Sequence, residues 1–252
     1  MDEKIIPPQF DESFLRWFQV RTEEAWQNYP MRTFEEYVAG GIGGRDWQHG
    51  TRWLNGLSEQ EIASIEQHYQ MRFPPDYRLF LQLLHSVDRP LMGARYTDST
   101  TMIPVTAPSF YNWQTERSAI EQAYEEVIEG ILFDVQHNDN IWPAKRGKKP
   151  ATEEAQEARI RELVAAAPRL IPIIGHRFLL AEPHQNENPV FSIHQTDMII
   201  YAPNLYLFFL QEFAYLLNLP QETRTAIVGQ KNAITNKRYA HYEKIPFWGQ
   251  FL

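Results

Sequence analysis

The chain has no cysteine. That excludes disulfides, thiolate metal sites and a cysteine nucleophile together, and it fits a reducing compartment. A long apolar run is also missing. The most apolar stretch, Leu205 to Leu217, is broken by Gln211 and Glu212, and it is shorter than the ~18–20 apolar residues a bilayer demands. It reads as a buried helix. The opening residues, MDEKIIPPQFDE, place acids and prolines where a secretion signal needs a basic start and an apolar run. The expected location is therefore the cytoplasm. Excess positive charge is absent too: 24 Lys and Arg against 32 Asp and Glu give a formal net charge of -8. Broad affinity for a phosphate backbone is not expected, while a basic partner is permitted.

Chemical motifs are equally scarce. The stretch Gly40, Gly41, Gly43, Gly44 lacks the lysine of a phosphate-cradling loop and follows no clear strand, so its plain reading is a flexible turn. There is no HExxH pair, and no two histidines sit one helical turn apart. No GxSxG elbow occurs, and Ser192 falls mid-strand. One enzymatic alternative stays open: a metal-dependent or other hydrolase built from His176, His184, His194 and Asp197, with Glu182 nearby.

What is present is a core. With 252 residues, 43% of them hydrophobic and 22% charged, the chain can bury a full interior without covalent staples. Residues 1–50 read as a helical N-terminal extension, with Phe14, Leu15, Trp17, Phe18 and Trp26 as its apolar cluster and a second short helix from Thr33 carrying Phe34, Tyr37 and Val38. Residues 51–220 read as an α+β core, and residues 221–252 as a C-terminal tail whose Ile245-Pro246-Phe247-Trp248 clasps that core.

Within the core, Ser58 and Glu61 have the spacing of a capping box, with Leu57 and Ile62 as its hydrophobic staple, and a helix is predicted to about Met71. Pro74 and Pro75 open a second helix with Tyr77, Phe80, Leu81 and Leu84 on one face. A strand is expected over Thr101 to Val105. A helix from Ser118 to Glu129 is expected to be capped by Gly130, and Ile131 to Phe133 to begin a strand. Lys145 to Pro150 read as an exposed loop, and Thr152 opens a helix that stops before Pro168. Leu170 to Ile174, Phe178 to Leu180, Val190 to Gln195 and Met198 to Tyr201 read as strands, and Asn204 as the cap of the buried helix.

One surface feature stands out. Glu121, Glu125 and Glu129 repeat at i, i+4 with Glu126 beside them, a spacing that costs roughly 0.2–0.5 kcal/mol per like-charged pair. Glu129 ends that helix and so also meets the negative end of the dipole, at a similar cost. A basic partner would relieve both costs. These four glutamates, with Trp142, form the expected partner-binding surface.

Two blocks carry a family resemblance. The first is Trp53, Gly56-Leu57-Ser58-Glu59 through Ile65-Glu66, then Phe73-Pro74-Pro75-Asp76-Tyr77-Arg78. The second is Gly130 to Val135, Leu170 to Ile173 with Gly175-His176-Arg177-Phe178, and Asn188-Pro189 through Asp197. Together they resemble the SUKH superfamily, which includes fungal cell-wall-assembly regulators and bacterial immunity proteins. The resemblance implies an α+β domain with a central curved sheet packed by helices. It implies no cofactor and no catalytic residue, and function through binding another protein: a basic toxin such as a nuclease, or a regulatory partner. It also implies that Trp53, Gly56, Leu57, Glu66, Pro74, Pro75, Tyr77, His176, Arg177, Asn188, Pro189 and Asp197 are fold-makers. Asn188-Pro189 would shape the start of a strand, His176 and Arg177 would satisfy buried backbone or a carboxylate, and Asp197 would cap a turn.

Overall fold

A computed structural model describes residues 7–33, 35–36, 45–98, 100–138, 141–142, 147–182 and 187–252. The expected short helix around Phe34, Tyr37 and Val38, the glycine stretch 40–44, the basic positions 145–146 and His184 lie outside the described residues. Among those described, seven α-helices and two antiparallel sheets make an α+β fold.

Helix α1, Glu12–Gln27, starts where the Asp11 carboxylate accepts from the Phe14 amide at 3.1 Å. Its apolar residues do not merely lead in. Phe14, Leu15, Phe18 and Trp26 are completely buried, and the Phe18 ring lies 5.0 Å from those of both Phe209 and Phe213, near the far end of the chain. Helix α1 thus belongs to the same interior as the core.

Helix α2, Glu59–Tyr69, has the predicted capping box: Ser58 Oγ accepts from the Glu61 amide at 3.3 Å, and the Ser58 amide donates to Glu61 Oε2 at 2.7 Å. Leu57 and Ile62 are both buried, as a staple requires. Helix α3, Pro75–Leu83, follows the Phe73-Pro74-Pro75 turn and buries Tyr77, Phe80 and Leu81. A Cβ on Gly56 would lie 1.8 Å from the Gln82 carbonyl oxygen, so the approach to α3 admits only glycine there.

The strands form two sheets rather than one. In the first, β1 (Arg45–Asp46), β2 (Leu91–Tyr96) and β3 (Met102–Ala107) lie in that order. Strand β2 is not apparent from sequence pattern, and Pro104 is tolerated because β3 is an edge strand. The second sheet is a meander of β4 (Leu170–Ile174), β5 (Arg177–Leu180), β6 (Val190–His194) and β7 (Asp197–Ala202). Every residue of β4 is buried.

The region after Gly130 differs from expectation. Helix α4 runs over Arg117–His137, so Gly130 sits inside it and Ile131 to Phe133 are helical. The reason is a continuous buried stripe, Ile120, Ala123, Val127, Ile131 and Val135, that keeps helical period through the glycine. The glycine serves packing instead: a Cβ there would meet Gln195 Cα at 3.1 Å, in the β6–β7 turn.

Helix α5 spans Glu153–Ala165, capped by Thr152. Helix α6, Leu205–Glu212, is capped by Asn204, whose side chain accepts from the Leu207 amide at 2.9 Å. The tail holds a further helix, α7, Gln221–Tyr242, with Ile227 and Tyr242 buried. Its end closes on the core as predicted: Phe247 and Trp248 are buried, and Trp248 Nε1 donates to the Pro168 carbonyl at 2.8 Å.

Candidate protein interface

The acidic surface expected on α4 is rearranged by cations of the same chain. Arg117 pairs with Glu121 at 2.9 Å. Arg161, from α5, grips both oxygens of Glu125 (one at 3.0 Å) and also reaches Glu157 at 2.8 Å. Its hydrogen bonds hold the Glu125 carboxyl below the usual glutamate range. The repulsion inferred from spacing is therefore answered internally at these two positions. Nor does Glu129 meet the end of a helix dipole, because α4 continues to His137. Trp142 is no surface aromatic: it is buried, with its indole Nε1 donating to the Gly147 carbonyl at 2.9 Å.

A narrower surface remains. Gln122, Glu126, Glu129, Phe133 and His137 are exposed along one face of α4. Among the described residues no cation pairs with Glu126 or Glu129. Phe133 is 51% exposed, and its ring stacks on His137 at 4.4 Å. Gln122, Phe133 and His137 are absent from the surface expected on sequence, Phe133 because Ile131 to Phe133 read as the start of a strand. Had helical period been followed past Gly130, i, i+3, i+7 spacing from Glu126 would have placed it on the same face.

Beside the stripe lies a shallow depression of about 260 Å³, between α4 and the two hairpin turns, with Glu126, Gly130, His176, His194 and Gln195 in its lining. The structure thus brings His176 and His194 to one place. Yet among the described residues no three His, Asp or Glu side chains stand together as a metal-binding set. Asp197 is exposed at the start of β7, paired in register with His194. The turn between them is capped by a different carboxylate. Asp134 of α4 accepts from the Thr196 amide at 3.0 Å and from its hydroxyl at 2.6 Å. Asp197 does not have the role expected of it, because the turn faces α4 and the nearer acid is there.

The other motif residues are engaged inside the fold. Trp53 Nε1 donates to Thr22 Oγ1 at 2.8 Å. Glu66 accepts from the Phe73 amide at 2.8 Å and pairs with Arg78 at 2.7 Å, fixing the turn before Pro74 and Pro75. The Tyr77 hydroxyl accepts from Trp113 Nε1 at 2.9 Å, and burial raises its pKa. Arg177 donates to Ser192 Oγ at 2.8 Å, and its guanidinium lies over the Tyr201 ring at 4.0 Å. Asn188 is buried and donates to the Leu180 carbonyl at 2.8 Å, while the Pro189 carbonyl accepts from the Leu180 amide at 3.0 Å. His176 is exposed, and its backbone carbonyl accepts from the Ile193 amide at 3.0 Å.

Two buried ionisable groups carry no sequence signal. Asp76, 7% exposed, has its carboxyl pushed up to about 6 by desolvation, opposed by the Tyr77 amide at 2.9 Å. His85, 2% exposed, is lowered to about 4 by burial, and its Nε2 accepts from the Trp113 amide at 3.1 Å. No helix among the described residues is long and apolar enough to cross a membrane. Comparison with protein-family models, with curated proteins and with solved structures finds no match to this chain.

Proposed function

We propose that this chain is a non-enzymatic, SUKH-like binding module that acts in the cytoplasm as an immunity-type protein and neutralises a basic protein toxin such as a nuclease. The observation that supports this reading is the α4 stripe, where two glutamates that pair with no cation among the described residues precede an exposed phenylalanine on the same face. An acidic patch beside an apolar anchor suits a basic partner. The charges steer encounter and reject like-charged partners, while the ring supplies buried area at the centre of contact. The motif residues contribute by holding the hairpin turns and α4 in fixed relation, so that the surface is preorganised. No cofactor takes part.

The test is partner capture from the native host, followed by titration of the purified partner against Glu126→Lys, Glu129→Lys and Phe133→Ala. Affinity for a basic protein should fall at least about tenfold for the double charge reversal, with a steep salt dependence in the association rate. A captured partner whose affinity ignores all three changes would sink the assignment of this surface.

A further inference from the structure

A second cavity, of about 340 Å³, lies among α2, α4, α5 and the start of β4, with Trp248 of the C-terminal clasp in its wall. Its size falls at the lower end of the range for small-molecule sites. The body is apolar, with Val127, Val164 and Leu170 among its lining. Among the polar groups of that lining, two have no partner. The hydroxyl oxygens of Tyr69 and Tyr124 are both buried and make no hydrogen bond. A buried hydroxyl without a partner costs about 1–3 kcal/mol, and here two such groups line the same cavity.

The charge at this site is also unbalanced. Glu121 and Arg169 both line it. The Glu121 carboxylate is already paired with Arg117 at 2.9 Å. Among the described residues Arg169 has no ion pair and no side-chain hydrogen bond, and its charge is near enough to bear on the Tyr124 hydroxyl. Burial raises the pKa of both tyrosines, so both remain protonated and able to donate.

We infer that this cavity binds a small monocarboxylic acid with an apolar body, its carboxylate held by Arg169 and the Tyr69 and Tyr124 hydroxyls and its hydrocarbon part against the aliphatic wall. A carboxylate supplies acceptors for two orphan donors and a counter-charge for the Arg169 guanidinium, which has no ion pair among the described residues. This site lies apart from the Glu126–Phe133 stripe and does not depend on the protein-binding reading.

The test uses the full chain and 4-phenylbutyrate as probe, with its primary amide as the uncharged control, followed by calorimetry and by the thermal midpoint. The acid should bind and raise the midpoint, and the amide should bind at least about tenfold more weakly. Arg169→Gln and Tyr124→Phe should each weaken the acid about tenfold or more, and Val164→Phe should abolish binding by filling the space. Tyr124→Phe removes an unpartnered hydroxyl, so it should fold at least as stably as the parent. Arg169 is exposed, so its variant reads binding even if the tyrosine variant misfolds. Glu126→Lys should leave the probe's affinity unchanged. No binding of the acid, equal binding of acid and amide, or binding indifferent to Arg169→Gln would each overturn the inference.

Discussion

The indole Nε1 of Trp53 donates to Thr22 Oγ1 at 2.8 Å, joining the first helix to the segment that leads into α2 and α3. Thr22 is completely buried, and its hydroxyl hydrogen is directed to the Phe18 carbonyl at 2.8 Å. Thr22→Val keeps the volume but leaves a buried indole N–H unsatisfied. It should lower stability by about 1–3 kcal/mol in urea denaturation, with the denaturant slope unchanged. A chain beginning at Thr51 should fail to fold, as read by near-ultraviolet circular dichroism. It would expose Phe209 and Phe213, which now face Phe18. A truncated chain with native-like dichroism would show that α1 is dispensable.

Asp134 and Gly130 together dock the β6–β7 turn on α4. Removing the carboxylate with Asp134→Ala deletes two hydrogen bonds to a charged acceptor, each worth about 1.5–3 kcal/mol at most. The amide of Thr196 should then exchange with solvent faster, while amides of β4 keep their protection. Gly130→Val should be destabilising despite the helical setting, since its Cβ would press on Gln195 Cα at 3.1 Å and the turn is tied down.

Asp76 and His85 give opposing pH dependences. The Asp76 carboxyl is raised from 3.8 to about 6, so its native form holds a proton that the unfolded chain has lost, and this group's contribution to stability falls as pH rises from 4 to 6. His85 is lowered from 6.5 to about 4, so the unfolded chain binds a proton the native form lacks, and its contribution falls as pH drops from 6.5 to 4. Across this window the folded and unfolded states hold equal numbers of protons at the two sites, and their slopes cancel. Asp76→Asn should uncover the histidine: denaturation free energy should drop by up to about 3 kcal/mol between pH 6.5 and 4. A flat profile in the variant would show that His85 protonates freely in the fold.

The two halves of the acidic cluster should behave differently. Glu125→Lys sets a cation against Arg161 and should reduce stability by about 1 kcal/mol or less, as for a half-exposed pair, with partner affinity unchanged. Glu126→Lys should do the reverse. Equal affinity losses at both positions, measured by titration with the partner, would argue for the broader surface read from spacing.

The sequence alone determined the elements whose cause is local. The Ser58–Glu61 box, the Pro75 helix start, the Asn204 cap and the four strands between Leu170 and Ala202 each follow from neighbouring residues competing for backbone groups or burying one face. Tertiary structure alone decided what depends on residues distant in the chain. Gly130 reads locally as a stop, yet the buried stripe on either side of it and the turn at Gln195 make it a contact point within a longer helix. Glu125 reads as an unrelieved charge until Arg161, 36 positions later, reaches it. Local chemistry specifies caps, breaks and faces. Which face meets which cation, ring or turn is settled only when the chain closes on itself, because those energies exist only between partners that folding brings together.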